Sequence, residues 1–245
     1  VFAGASERHD WDYFTKLAPT DGSVQLQKIT TQLGVLVLAG PKSRAVLQKL
    51  TDTDLSNESF KWLTGKSINV GYAQAEALRV NFVGELGWEL HHPIEMQNYI
   101  FDELIKAGAE FDIKPFGIRA MDSMRLEKSY RLIPREMSIE YAALESGLDR
   151  FVKLDKDCDF VGKSALQAWQ KKGFKNRFVT LEVQDIDDAD ARGSEGIYRG
   201  HELVGRATSG GFGFRVNKSL ALGLVQADCA EVGSELEVEI LGQRY

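Results

Sequence analysis

The feature that most narrows the fold is a change of hydrophobic period near residue 176. From Arg177 onward, apolar and polar residues alternate in short runs at 178–183, 203–209, 221–225 and 236–241, with turn residues between them. Such spacing predicts an antiparallel barrel or sandwich. Upstream, amphipathic helical patterns are interleaved with fewer strands, so the chain reads as α+β first and all-β afterwards. With 245 residues it has material for one large or two to three small domains, each with its own core.

Within the first part, the stretch LRVNFVGELGWEL at 78–90 predicts a strand, a turn framed by Gly84 and Gly87, and a second strand. Leu78, Val80 and Phe82 share one face. Trp88 and Leu90 share another, which sends Glu89 to the opposite side. Two readings of Glu89 stand: a solvated hairpin carboxylate, or a receiver for a flat, donor-rich heterocycle beside Phe82. ERHDWDYFTKL predicts the first helix, followed by a turn at Asp21-Gly22 and a strand pair ending at 34–38. Pro41 suits the first position of a helix that presents Ala45, Val46, Leu47 and Leu50. Residues 96–106 and 117–130 predict further amphipathic helices, 151–154 a strand, and 162–172 a helix with Ala165, Leu166 and Trp169 inward and Gly173 as its stop.

Several function classes drop out. The formal net charge is −6 and the basic residues are dispersed, which argues against a nucleic-acid or anionic-membrane surface. No apolar run reaches the roughly 20 residues a membrane helix needs. Two cysteines, Cys158 and Cys229, do not make a disulfide scaffold. His91 and His92 are adjacent on a strand and face opposite ways, so they do not share a metal; both read as surface or interface histidines. Asp185, Asp187, Asp188 and Asp190 mimic a calcium loop but lack its Gly and closing Glu. Ser209-Gly210-Gly211-Phe212-Gly213 has no helix after it and reads as a tight turn rather than a phosphate cradle.

Taken together, LGVLVLAGPKSRAVLQKL, FVGELGWEL, MDSMRLEKSYR, EYAALESGLDRFVKLDK, DFVGKSAL and ATSGGFGFRVNKSLALGLV resemble the aminomethyltransferase family, the T-protein of glycine cleavage. They are most similar to the C-terminal, folate-binding half of dimethylglycine and sarcosine dehydrogenases. The resemblance implies ferredoxin-like α/β pieces of the T-protein cloverleaf followed by a C-terminal antiparallel β-barrel. It divides the chain into part of a folate-binding domain at 1–73, a second α+β domain with the pterin-binding hairpin at 74–175, and the barrel at 176–245. The first residues, VFAGAS, read as the inside of a strand, and the chain reads as a piece of something longer.

The same resemblance implies a role for particular residues. Glu89 occupies the position of the family glutamate that grips the pterin of tetrahydrofolate, with Glu85 and Phe82 in the same motif. Phe82 stands where relatives carry Tyr. Met121 stands where they carry the Arg that reaches folate, and Arg125, one turn on, is the substitute cation. Phe151 falls near an aromatic of the folate channel, and Gly4–Ser6 near a segment that touches the pterin through its backbone. No catalytic residue is assigned, because the family's amine-positioning aspartate maps upstream of Val1. The implied function is acceptance of a one-carbon unit from an N-methyl amine or aminomethyl donor to form methylenetetrahydrofolate. The alternative is a non-catalytic folate-binding or regulatory scaffold. Implied partners are the folate, the donor and, in a longer parent chain, an N-terminal domain holding FAD. Bacterial cytoplasm or the mitochondrial matrix is the implied compartment.

Overall fold

The computed structural model describes residues 4–186 and 188–245. Its contacts form two compact units, one extending to Pro115 and one beginning at Phe116.

In the first unit, helix α1 (Glu7–Leu17) is followed by an irregular segment, then by strand β1 (Leu33–Ala39), helix α2 (Ser43–Gln48), strands β2 (Gly65–Val70), β3 (Ala73–Leu78) and β4 (Gly87–Pro93), and helix α3 (Gln97–Gly108). The strands form one antiparallel sheet in the order β1-β4-β3-β2. Alternation puts Leu38, Ile68, Val70, Ala73, Ala75, Ala77, Trp88 and Leu90 on one face. Val46 and Leu47 of α2 and Ile100 and Leu104 of α3 complete that core.

An expected boundary near residue 73 does not divide this unit, because it falls in the turn joining β2 to β3. The predicted hairpin is present, but β3 ends at Leu78 and residues 79–86 connect the strands irregularly. Asn81 explains the change. Its Oδ1 accepts the Val83 amide at 2.9 Å while its Nδ2 donates to the Glu85 carbonyl, so a side chain takes bonds that a ladder would otherwise make. Gly84, at φ +72°, turns the chain back. The strand expected just before 34–38 is absent: residues 18–32 carry no strand.

The second unit contains α4 (Ile118–Leu126), α5 (Lys163–Lys172) and strands β5 (Asn176–Val183), β6 (Gly196–Arg199), β7 (Glu202–Gly213), β8 (Lys218–Gln226), β9 (Glu237–Ile240) and β10 (Gln243–Arg244). They pair antiparallel in the order β10-β9-β6-β7-β8-β5, the barrel-type sheet that the alternating runs predict. Among the described residues no pairing of β5 with β10 closes the ring. The Gly-rich run lies inside β7 rather than in a turn: a Cβ on Gly210 would collide with the Ala191 backbone, so the glycine admits a close approach. Residues 151–154 form no strand, and Ala165 and Trp169 of α5 are exposed. Gly173, at φ +87°, does end α5, with its amide bonded to the Trp169 carbonyl at 2.9 Å. The strand expected at Val1 and the Asp187 position lie outside the described residues.

A buried charge network fastens α4 to β7. The Arg125 guanidinium donates through Nε to Asp122 Oδ1 (2.7 Å), through Nη1 to the Tyr130 carbonyl (3.0 Å) and Glu136 Oε2 (3.3 Å), and through Nη2 to Ser209 Oγ (2.8 Å). Glu136 also accepts from Thr208 Oγ1 (2.6 Å), Ser209 Oγ (2.5 Å) and the Leu132 amide (2.8 Å). Arg125 and Glu136 are both 0% exposed.

Two outcomes follow for stability. Arg125→Met strands the Glu136 carboxylate without its countercharge and is expected to cost about 3–5 kcal/mol in urea denaturation, part of which Arg125→Met with Glu136→Leu recovers. At the start of β4, a Cβ on Gly87 would lie 2.6 Å from the Leu38 carbonyl oxygen and 3.0 Å from Ala39 Cα. Gly87→Ala is therefore expected to cost about 1–3 kcal/mol and to speed amide exchange along the β1–β4 ladder.

Candidate functional site

Strand β4 sorts its side chains by the period of two. Trp88, Leu90 and His92 enter the core, whereas Glu89 and His91 emerge on the opposite face. His92 is a core histidine rather than a surface one. It is 1% exposed, with Nδ1 2.9 Å from the Leu90 carbonyl and Nε2 2.9 Å from Gln97 Oε1.

On the outer face, Glu89 stands opposite Val37 of β1 and Leu78 of β3, while His91 stands opposite Val35 and Glu76. The Glu89 and His91 side chains are 27% and 11% exposed, and His91 Nε2 lies 3.2 Å from Glu89 Oε2. An ionised carboxylate only accepts, so this contact places a hydrogen on Nε2. Next to it, Glu76 accepts a hydrogen bond from Ser67 Oγ.

His91 and Val35 also line a cavity of about 640 Å³ between this face, α1 and residues 26–30. Trp11 and Phe14 of α1, with Leu26 and Ile29, form its apolar walls, and Gly4 reaches its edge. Glu7 and Lys28 are its charged members, 3.8 Å apart, with Lys28 Nζ 4.8 Å from the Trp11 ring centre. At the head of α1, Ser6 Oγ donates to Asp10 Oδ2 at 2.6 Å, and this bond, helped by His9, holds the Asp10 carboxyl below its ordinary range. The volume is that of a small-molecule site, and the wall chemistry suits a flat, largely apolar ligand with a few polar atoms at one edge.

The remaining sequence-predicted residues distribute as follows. Phe82 and Glu85 sit half-buried in the 79–86 connection that leads into β4, and neither they nor Glu89 line the cavity. Met121, half-buried, and Arg125 lie on α4 in the second unit. Phe151 is 55% exposed, with the Arg150 guanidinium 4.6 Å from its ring centre. Arg125 requires a correction: its guanidinium is sealed inside the second unit and committed to Asp122, Tyr130, Glu136 and Ser209, so it is a structural cation rather than one available to folate. The cavity walls were missed in the sequence. Their signal is the pair Trp11 and Phe14, three residues apart on a helix with no buried residue of its own, together with Leu26 and Ile29 in a segment without regular structure.

Comparison with known proteins agrees with this architecture. The family described as "GCVT N-terminal domain" matches residues 1–156, and "Glycine cleavage T-protein C-terminal barrel domain" matches residues 176–245. The chain is 43% identical over its whole length to human mitochondrial dimethylglycine dehydrogenase, of which it covers 28%. It is 33% identical over 89% of its length to an aminomethyltransferase of Thermoanaerobacter sp., of which it covers 58%. It thus spans well under two thirds of these relatives. The fold matches the crystal structure of aminomethyltransferase T of the glycine cleavage system from Bartonella henselae, with TM-score 0.82 and 23% identity over 98% of this chain and 63% of that one. With both parts of the family's architecture present in order and matched along most of its length, this chain belongs to the glycine cleavage T-protein (aminomethyltransferase) family.

Proposed function

We propose that the chain is a tetrahydrofolate-binding one-carbon transfer module, and that the cavity lined by His91, two residues along the same strand face from Glu89, takes the folate. The observation that carries this reading is the placement of Glu89: a part-buried carboxylate on a rigid strand, on the same sheet face as an aromatic-walled cavity of ligand size. A carboxylate accepts two parallel N–H bonds from an aminopyrimidine edge, and such charge-assisted bonds contribute about 1.5–3 kcal/mol each. The flat walls at Trp11 and Phe14 supply the apolar contact that a fused heterocycle and an aryl ring need. Membership of the family and the likeness to dimethylglycine dehydrogenase support the same reading.

When bound, tetrahydrofolate supplies the nitrogens that accept the one-carbon unit, from an N-methyl amine or an aminomethyl donor. The chain's own part is to bind and orient. Glu89 holds the heterocycle by its donor edge, the cavity walls exclude water from its faces, and Gly4 lets the backbone at the head of α1 come close. Phe82 and Glu85, in the 79–86 connection that leads into β4, are proposed as residues that support the strand carrying Glu89. A longer parent chain would supply a flavin domain where the donor requires oxidation.

Anaerobic calorimetric titration with tetrahydrofolate tests the assignment. Saturable binding is expected, and Glu89→Gln is expected to weaken it by about 10- to 100-fold, whereas Glu85→Ala changes it by less than about threefold. Equal losses in the two variants would overturn the role given to Glu89.

A further inference from the structure

We infer that His91 is the positioning residue for Glu89; the inference rests on the folate reading above and adds to it a second residue of the same strand face. A glutamate side chain turns about three torsions, and a partly exposed one samples several of them, so gripping a ligand by two parallel bonds requires that the carboxylate first be held still. Nothing on β1 does this, because the residues facing Glu89 and His91 across that ladder are Val37 and Val35. On β3 the partner of Glu89 is Leu78. His91 is left as the polar neighbour, two residues along the same strand, and its Nε2 meets Glu89 Oε2 at 3.2 Å.

Two carboxylates flank the imidazole, and the structure discriminates between them. Glu76 stands directly opposite His91 across the β3–β4 ladder and takes Ser67 Oγ as its donor, whereas the carboxylate oxygen that His91 Nε2 meets, at 3.2 Å, is Oε2 of Glu89. Glu7 and Lys28, the charged groups on the far side of the cavity, pair with each other. The His91 Nε2–H is therefore directed to Glu89. The ring is also more buried than the carboxylate it holds, which fixes the donor while leaving the acceptor accessible. Oxygen Oε2 keeps lone-pair capacity after this bond, so positioning and ligand binding are compatible on one carboxylate.

Tetrahydrofolate titrations of the wild type and of four variants decide the matter. Gln carries an N–H donor at nearly the reach of Nε2, Asn carries one that is too short, and Leu fills the space without one. His91→Leu and His91→Asn are expected to weaken binding about tenfold, and His91→Gln is expected to restore it to within about twofold. In a Glu89→Gln background, His91→Leu is expected to add less than about a twofold further loss, because its effect acts through Glu89. Denaturation midpoints run alongside; should the leucine variant fail to fold, the Gln–Asn comparison carries the test alone. Wild-type affinity in His91→Leu, or equal losses in the Gln and Asn variants, would overturn the positioning role while leaving that of Glu89 intact. Absence of binding by the wild type would overturn the folate reading itself, and with it this inference.

Discussion

Everything proposed for the first unit depends on the register of β4 against β1. Seven consecutive pairs, from Leu33 with Pro93 to Ala39 with Gly87, fix which way each β4 side chain faces. Since neighbouring residues on a strand face opposite ways, one offset of a single residue would drive Glu89 and His91 into the core and expose Trp88 and Leu90. The core thus enforces the site: the burial of Trp88 against Phe60, ring centres 6.2 Å apart, and of Leu90 among the α2 and α3 side chains is what keeps a carboxylate and an imidazole on the other face. Gly87 belongs to the same constraint, because only a residue without a Cβ lets the two backbones meet where the strand begins.

The second unit is held by a different kind of constraint. Where the first relies on apolar alternation, α4 is fixed to β7 by an arginine and a glutamate removed from water, each with its hydrogen-bonding capacity engaged by neighbours. Burying such a pair is expensive, and the expense is offset only when every donor and acceptor has a partner. That requirement makes the geometry specific: Tyr130, Glu136, Thr208 and Ser209 are all needed where they are.

What was legible in the sequence was whatever local period determines. The helix ERHDWDYFTKL, the alternation of Trp88, Glu89 and Leu90, the stop at Gly173 and the run of short strands after residue 176 all follow from patterns within a dozen residues. The failures share a cause as well. Val80 and Phe82 alternate like a strand, yet the side chain of Asn81 captures the backbone. Arg125 reads as a substitute cation for folate; its burial follows from a partner, Ser209, 84 positions away. The contact between Glu89 and His91, by contrast, is written in adjacent odd positions of one strand and was open to inspection once both were known to face outward.

The cavity walls carry one more implication. Helix α1 has no buried residue, and its Trp11 and Phe14 are the surfaces that enclose the space beside His91. A molecule occupying that space would take its apolar contacts from those rings and so bridge the helix to the sheet face across the cavity. Occupancy and the anchoring of α1 are then a single thermodynamic variable: whatever loosens the helix raises the dissociation constant, and whatever fills the space slows the helix's local opening.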